Sequence, residues 1–405
     1  MFDPASVVVG LEIGTSKVCA AVGDLGADGT FTLLGLGQCR SRGVRKGEIT
    51  DPTKASEDVR NALAEAEEMA GVEIRSVYLG VTGAHLVGFN SRGIHPIVSV
   101  GREISAEDVE DAIRNAKAAS VGSGRQVIHT VKQDFAVDDH DGVENPVNTV
   151  GARLEARLHL IHGSSNRLQT PLRVVGGLQI EVEQVVFNGL ASALAVLGRS
   201  QKDVGALVVD LGAGTTEYAL YANGLLRHSG VLALGGDHVS NDLAIGLRIP
   251  LGRAEQLKID QGSAVVDDEC RGMSLNLSSE PGSVERTINL EHLRRIQSLR
   301  VEEVLELVAR EVGPLLGLAR GGVFLCGGGA RTPGIVPLAE RIFQVPVQLG
   351  RTQEVSGAEN ALDQPEFATA IGLARFAAMR QGHRPPGGLG ARFGLGGWFS
   401  ALFPR

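Results

Sequence analysis

Apolar residues along this chain fall into short runs broken by glycine turns, interleaved with segments of helical spacing. The run Val7 to Ile13 ends in Gly14-Thr15-Ser16, and a second, Lys17 to Gly23, follows at once. Both read as strands, with Phe31 to Gln38 as a third. Asp51-Pro52 signals a helix start, because proline at the first helical position lacks only an N–H that would go unpaired anyway. Ala55, Val59, Ala62, Ala66 and Met69 then recur at helical spacing, with Glu57, Asp58, Glu65, Glu67 and Glu68 mostly on the other side. Val77 to Val81 is a short apolar strand.

The pattern changes near Ala84. Ser105-x-x-Asp108 has the form of a capping box, with Asp in place of Glu or Gln, and predicts a helix to about Ala119. Further on, Ala152, Leu154, Ala156, Leu158 and Leu160 alternate with Arg153, Glu155, Arg157 and His159. That alternation predicts a half-buried strand with one wet face. Residues 84–163 therefore read as a small α+β insertion. The α/β pattern returns with Leu168 to Gly176, strand Glu181 to Val186 and helix Asn188 to Leu197.

Next comes Ala206 to Asp210, the turn Gly212-Ala213-Gly214-Thr215-Thr216, and strand Tyr218 to Ala222. At an offset of 198 residues, Glu12 matches Asp210 and Gly14 matches Gly212. An internal duplication explains this. Gly236 to about Ala309 departs from the pattern again. Leu305 to Leu318 reads as helix, Val323 to Cys326 as strand and Gly327 to Ala330 as a turn. Thr332-Pro333 reads as a capped helix start, and Glu366 to Met379 as the last helix of the body. The stretch 381–391 (QGHRPPGGLGA) reads as a flexible linker.

Composition narrows the function classes. A chain of 405 residues with 43% hydrophobic and 21% charged residues is too apolar to be disordered and long enough for several domains. The net charge of −8, with no long basic block, argues against nucleic acid as a partner. Cys19, Cys39, Cys270 and Cys326 are far apart and form no C-x-x-C pair, which excludes a zinc ribbon and points to free thiols in a reducing cytoplasm. Met1 to Ser6 has no signal-peptide character, and no stretch approaches 18 consecutive apolar residues. The histidines have no metal-ligand spacing, and no Ser-His-Asp set can be assembled.

Two units of strand, carboxylate and glycine-hydroxyl turn suit a clasp around a nucleotide's phosphates, since glycine lets backbone N–H groups approach phosphate oxygens. Glu12 and Asp210 would face one another and hold Mg²⁺ through its waters. With the late Gly327-Gly328-Gly329-Ala330 turn, these motifs resemble the phosphate-1, phosphate-2 and adenosine motifs of the actin-like ATPase superfamily. Within it the chain is similar to the FtsA family of bacterial cell division. The residues that carry the likeness are Val9 to Val18, Ser41-Arg42-Gly43, Lys46-Gly47, Ser76 to Leu79, Asn145-Pro146-Val147 and Gly189 to Ser192.

The resemblance implies an α/β, actin-like ATPase fold: two duplicated domains around a nucleotide cleft, an inserted α+β subdomain and a C-terminal amphipathic helix. It assigns 1–83 and 164–202 to subdomain 1A, 84–163 to the inserted 1C, 203–235 and 310–380 to 2A, and 236–309 to 2B. It implies ATP and Mg²⁺ as cofactors. Phosphate contacts would come from Gly14, Thr15, Ser16 and Lys17, and from Gly212, Ala213, Gly214, Thr215 and Thr216. Gly235 and Gly236, before a helix containing His238 to Ala244, would approach the nucleotide, with Glu255 and Lys258 at ribose and adenine and Gly328, Gly329 and Ala330 flanking the adenosine. One departure concerns turnover. Actin-like hydrolases start the helix after the linking strand with Glu or Gln to position water. Here Asn188 stands there, a neutral amide that cannot act as a base, so at most weak Mg²⁺-dependent ATPase activity is expected.

By the same resemblance, Arg300 and Glu303, on a charged helix with Arg294 and Arg295, match the surface of 2B that takes the C-terminal peptide of FtsZ. The implied role is an ATP-binding cytoskeletal protein that polymerises on the cytoplasmic face of the membrane at the division site, anchors FtsZ and helps recruit other divisome proteins. The tail reads the same way by itself. Leu395, Trp398, Phe399, Leu402 and Phe403 fall on one helical face in 392–405, between Arg392 and Arg405, which suits an anionic bilayer surface. A PilM-like pilus-assembly scaffold should lack that tail, and a kinase of the same fold would need a catalytic base for which no candidate emerges.

Overall fold

The computed structural model describes residues 6–26, 29–98, 101–277 and 286–382. The tail positions Leu395, Trp398, Phe399, Leu402 and Phe403, and 383–391 of the expected linker, lie outside the described residues.

The chain opens as an antiparallel meander of β1 (Val7–Ile13), β2 (Lys17–Leu25) and β3 (Phe31–Arg40), as the three apolar runs predict. A small hairpin, β4 (Val44–Arg45) and β5 (Glu48–Ile49), precedes α1 (Pro52–Ala70) and β6 (Ser76–Val81). The insertion follows: β7 (Val87–Pro96), α2 (Ala106–Lys117), β8 (Arg125–Val137), β9 (His140–Val143) and β10 (Arg153–Ser164), a sheet of order β7-β10-β8-β9. Ser105 and Asp108 cap α2 reciprocally, as their spacing predicts. Then α3 (Ser165–Gly176), β11 (Glu181–Phe187) and α4 (Asn188–Val196) complete a five-stranded sheet of order β3-β2-β1-β6-β11.

The second half begins with α5 (Arg199–Val204), β12 (Ala206–Leu211), β13 (Thr216–Ala222) and β14 (Leu225–Leu232). Helices α6 (Gly236–Leu247) and α7 (Leu251–Gln261), strands β15 (Ser274–Leu277) and β16 (Arg286–Asn289), and α8 (Leu290–Val312) follow. The chain closes with β17 (Val323–Cys326), α9 (Ile335–Phe343), β18 (Val347–Leu349), α10 (Glu359–Leu362) and α11 (Ala368–Gly382). Its five-stranded sheet has the order β14-β13-β12-β17-β18, the arrangement of the first sheet repeated. In each, the central strand pairs antiparallel with the next strand and parallel with a later one, and the register sets Glu12 opposite Cys19 and Asp210 opposite Glu217. The duplication inferred from the 198-residue offset is thus repeated strand for strand.

Tertiary packing overrides local pattern at several points. On α1, Met69 is 56% exposed, whereas Asp58 turns inward and is fully buried. Its carboxylate accepts from the Arg42 backbone N–H at 2.7 Å and Nε at 2.8 Å, which offsets the cost of burial. The wet face expected of β10 is covered: His159 is buried because β14 of the second half packs there, and Glu155 is buried beneath Arg153 and Arg157, which donate to it at 2.9 and 3.0 Å. Thr332-Pro333 does not begin a helix. The Pro333 carbonyl accepts from the backbone N–H of Ala264 at 2.8 Å and from Ser263 Oγ at 3.1 Å, the Ile335 N–H closes a turn onto the Thr332 carbonyl at 3.2 Å, and α9 starts after Gly334 at φ 76°. The helix expected over Leu305 to Leu318 begins earlier, and Gly313-Pro314 converts its last part to a 3₁₀ turn. At the other end, α11 continues through Gln381 and Gly382, the first two residues of the expected linker.

The last helix crosses back to the first half and packs on α4 and β1. There a Cβ on Gly372 would stand 1.8 Å from the Ala191 carbonyl oxygen, so only glycine permits this approach. Gly372→Ala should therefore cost on the order of 1–3 kcal/mol through overpacking. A chemical-denaturation midpoint unchanged from the parent chain would show that the two helices can part without penalty.

Candidate functional site

The two glycine turns are the same structure built twice. After β1, the N–H of Gly14 donates to the Lys17 carbonyl at 2.9 Å; after β12, that of Gly212 donates to Thr215 at 3.0 Å. The turns meet face to face, since a Cβ on Gly214 would fall 2.3 Å from Thr15 Oγ1. Ser16 is exposed at the first turn, while Thr215 and Thr216 are buried in the second, with Thr216 Oγ1 donating to the Leu234 carbonyl at 2.9 Å. The ammonium of Lys17 donates to the Glu366 carbonyl and lies 5.4 Å above the Phe367 ring.

Carboxyl groups converge behind the turns. Asp210 and Glu217 are buried, and the oxygen Oε2 of Glu12 is sealed from solvent without a hydrogen-bond partner. Burial pushes the Glu12 carboxyl up to about 7, with Lys17 pulling it down and Asp210 pushing it further up. Burial likewise raises Asp210, against a 2.6 Å bond from Thr369 Oγ1, and raises Glu217, to which the charge of Asp210 adds. Thr82 Oγ1 donates to Glu217 and also reaches Thr215 Oγ1 at 3.3 Å. Asn188 begins α4 beside this cluster; its Oδ1 is buried without a partner and lies where a Cβ on Gly80 would be, 2.5 Å away. Gly80 in turn pairs with Glu12 in the sheet.

The expected adenosine side assembles around the second turn. Gly236 N–H donates to Gly212 O at 3.0 Å and Asp237 N–H to Ala213 O at 2.8 Å, and a Cβ on Gly235 would fall 2.4 Å from Gly212 O. Lys258 Nζ lies 2.6 Å from Glu255 Oε2 and 3.2 Å from the Gly236 carbonyl, so the pair is anchored to this loop and is more than a solvated helix pair. Gly328, Gly329 and Ala330 form a 3₁₀ turn in which Gly328 has open space and Ala330 is buried, so this loop offers backbone. Arg300 and Glu303 lie elsewhere, on α8, where Arg300 bridges Glu303 and Asp242, the latter at 2.5 Å.

With this geometry in view, comparison with known proteins decides the family. A family model described as "Cell division protein FtsA" matches residues 207–372, and one described as "SHS2 domain inserted in FTSA" matches residues 83–162. The FtsA of Neisseria meningitidis serogroup B is 35% identical over 398 residues, covering 97% of this chain and 96% of that one. The chain belongs to the FtsA family of cell-division proteins. Among solved structures, a PilM-PilN type IV pilus biogenesis complex matches with a TM-score of 0.61 at 19% identity, covering 92% of this chain and 98% of the matched chain. MreB5 of Spiroplasma citri bound to ADP matches at 0.56 and 16% identity, covering 93% and 98%. Both likenesses are of fold, the actin-like one.

The two glycine turns, the Gly235-Gly236 loop and the carboxylates expected from the sequence lie together, and four further residues join them. Glu217, Thr82, Ser192 and Thr369 all touch the carboxylate cluster. Glu217 had a signal: the duplication places it at the position of Cys19, opposite the strand-end carboxylate. The other three come from distant elements. The donors fit a hard divalent cation, being the oxygens of Glu12, Asp210, Glu217 and Asn188, two of them unsatisfied within the chain. Among the described residues no three His, Cys, Asp or Glu side chains enclose an ion position.

A carboxyl group held at about 7 when folded and near 4.5 when free adds stability only at low pH, where both forms are protonated. As pH rises through 7 the folded chain must carry a buried charge, and that stability is lost. Glu12→Gln should thus raise the unfolding free energy by about 2 kcal/mol near pH 8 without added nucleotide, with no gain near pH 4. Denaturant titrations showing the same difference at both pH values would count against a buried, raised carboxyl.

Proposed function

We propose that this chain binds ATP with Mg²⁺ between its two actin-like domains and assembles into filaments that hold FtsZ at the cytoplasmic face of the membrane. The observation that carries the nucleotide part is the facing pair of glycine turns, backed by buried carboxyl groups with unsatisfied oxygens. The turns Gly14 to Lys17 and Gly212 to Thr216 cradle the phosphates, the N–H groups of Gly14 and Gly212 serving to close the turns themselves. Glu12 and Asp210 hold the hydrated cation, which when bound supplies charge neutralisation of the phosphates. Gly235, Gly236, Glu255, Lys258 and the Gly328 to Ala330 loop take the nucleoside. Asn188 orients water weakly, so turnover falls far below the enzyme median of roughly 10 s⁻¹, and the nucleotide acts chiefly as a ligand for assembly.

The division role draws on family membership. Arg300 and Glu303 are the contacts assigned to the FtsZ C-terminal peptide, and other divisome proteins are further partners. No helix among the described residues is long and apolar enough to cross a membrane. Attachment is assigned to the amphipathic 392–405, where five large apolar side chains, each worth about 1.5–3 kcal/mol if fully buried, act against helix ordering and only partial burial. Arg392 and Arg405 add roughly 1 kcal/mol each at an anionic surface. Neighbouring tails in a filament multiply this through effective concentration. The likeness to the pilus complex rests on fold alone and gives the pilus reading no further support.

Asp210→Ala removes the second domain's cation anchor and should weaken MgATP binding about tenfold or more; calorimetry giving the parent affinity would end the clasp model. Trp398→Glu should release the chain from anionic liposomes with ATP binding intact. A variant that still floats with liposomes in a density gradient would identify the tail as a docked structural helix.

A further inference from the structure

The β4–β5 hairpin belongs to neither five-stranded sheet, yet its tip enters the clasp. Its register pairs Arg45 with Glu48, so Lys46 and Gly47 are the two central residues of the turn. Both are left-handed, at φ 49° and 74°. A two-residue turn of this kind favours Asn, Asp or Gly at the first position, and a lysine there is held against its own preference.

What holds it is the clasp. Gly47 N–H donates to Thr15 Oγ1 at 2.9 Å. A Cβ on Gly214 would fall 2.8 Å from the Cα and 2.9 Å from the N of Lys46, and one on Gly47 would fall 2.6 Å from the Thr82 methyl. The backbone of Lys46 therefore sits where the two phosphate turns meet. The nucleoside loops approach the other end of the second turn, at Gly212 and Ala213. A phosphate chain running from that end along the turn finishes at Gly214, beside the hairpin tip.

Charge points the same way. Lys46 is exposed and has no ion-pair partner among the described residues, while the ammonium of Lys17 is already bonded to the Glu366 carbonyl. Arg45, its neighbour, is close enough to Asp237 in the first turn of α6 to offset part of the burial that raises that carboxyl, along with Lys258 and His238. At an ordinary hairpin tip Lys46 would be only a solvent charge. Here the backbone beneath it is fixed at the junction of both domains.

We propose that Lys46 is a nucleotide contact that neutralises the terminal phosphate, so that the hairpin discriminates a nucleoside triphosphate from a diphosphate; this rests on the nucleotide reading of the cleft given above. The test is calorimetry of the full chain with MgATP and with MgADP, for the parent and for Lys46→Gln and Lys46→Arg. Lys46→Gln should lose about tenfold in ATP affinity and less than about twofold in ADP affinity, and Lys46→Arg should keep ATP within about twofold. The parent's preference for ATP should also shrink with added salt, as an exposed charge requires. Unchanged ATP affinity in Lys46→Gln, or equal losses for both nucleotides, would overturn the proposal while leaving the cleft reading intact. A parent chain that binds neither nucleotide would overturn both.

Discussion

Three carboxyl groups closed into one seam, Glu12, Asp210 and Glu217, are the constraint around which the molecule is arranged. Like charges at short range in a poorly solvated site repel strongly, so with only protein around them these groups retain protons or lean on Lys17. The arrangement costs stability and has no packing purpose, since isosteric apolar side chains would fill the same space at lower cost. The cation proposed above would complete its charge from outside. Both sheets serve it. Each places its carboxylate at the end of a central strand, where neighbours on both sides fix the backbone, and each then turns sharply on glycine so that amides replace side chains at the seam.

Much of this was legible in the sequence because the carriers are local. Strand, carboxylate, glycine and hydroxyl follow one another within a few residues, and their recurrence after 198 residues identifies the second copy without any knowledge of the fold. Helix α1 and the cap of α2 were legible for the same reason. What stayed hidden depends on partners far along the chain. Asp58 reads as a solvent-facing residue until Arg42 is brought over it, and His159 reads as wet until β14 covers the strand. Thr332-Pro333 carries a sound local helix signal, which loses to hydrogen bonds from residues some seventy positions before it in the chain. Thr82 and Thr369 have no motif at all, and Ser192 lies in the Gly189 to Ser192 stretch without any sign there of its contact with Asp210; each is one hydroxyl on a different element, selected by where the fold delivers it.

The insertion shows how a graft changes the mechanics of the parent fold. It leaves the chain from the first domain, yet its sheet is bonded to β14 of the second. Gln133 Nε2 donates to the Leu226 carbonyl at 2.6 Å, Asn90 Nδ2 donates to Arg227 O at 3.0 Å, and Arg227 Nη1 donates to Asp134 at 3.0 Å. His159 is held neutral in the seam, its pKa lowered to about 3 by burial; Nδ1 faces Asn90 Oδ1 at 2.7 Å and Nε2 faces Ser229 Oγ at 2.8 Å. Burial, with the neighbouring His228 and His129, is what keeps the ring uncharged; in the neutral ring Nδ1–H donates to Asn90 Oδ1 and Nε2 accepts from the serine hydroxyl.

The two halves meet at two separated places, the glycine turns and this insertion seam, while α11 returns to pack on α4, β1 and β2 of the first half. Strand β14 pairs with β13, and β13 carries Thr216 and Glu217, so the element gripped by the insertion is one strand away from the carboxylate seam.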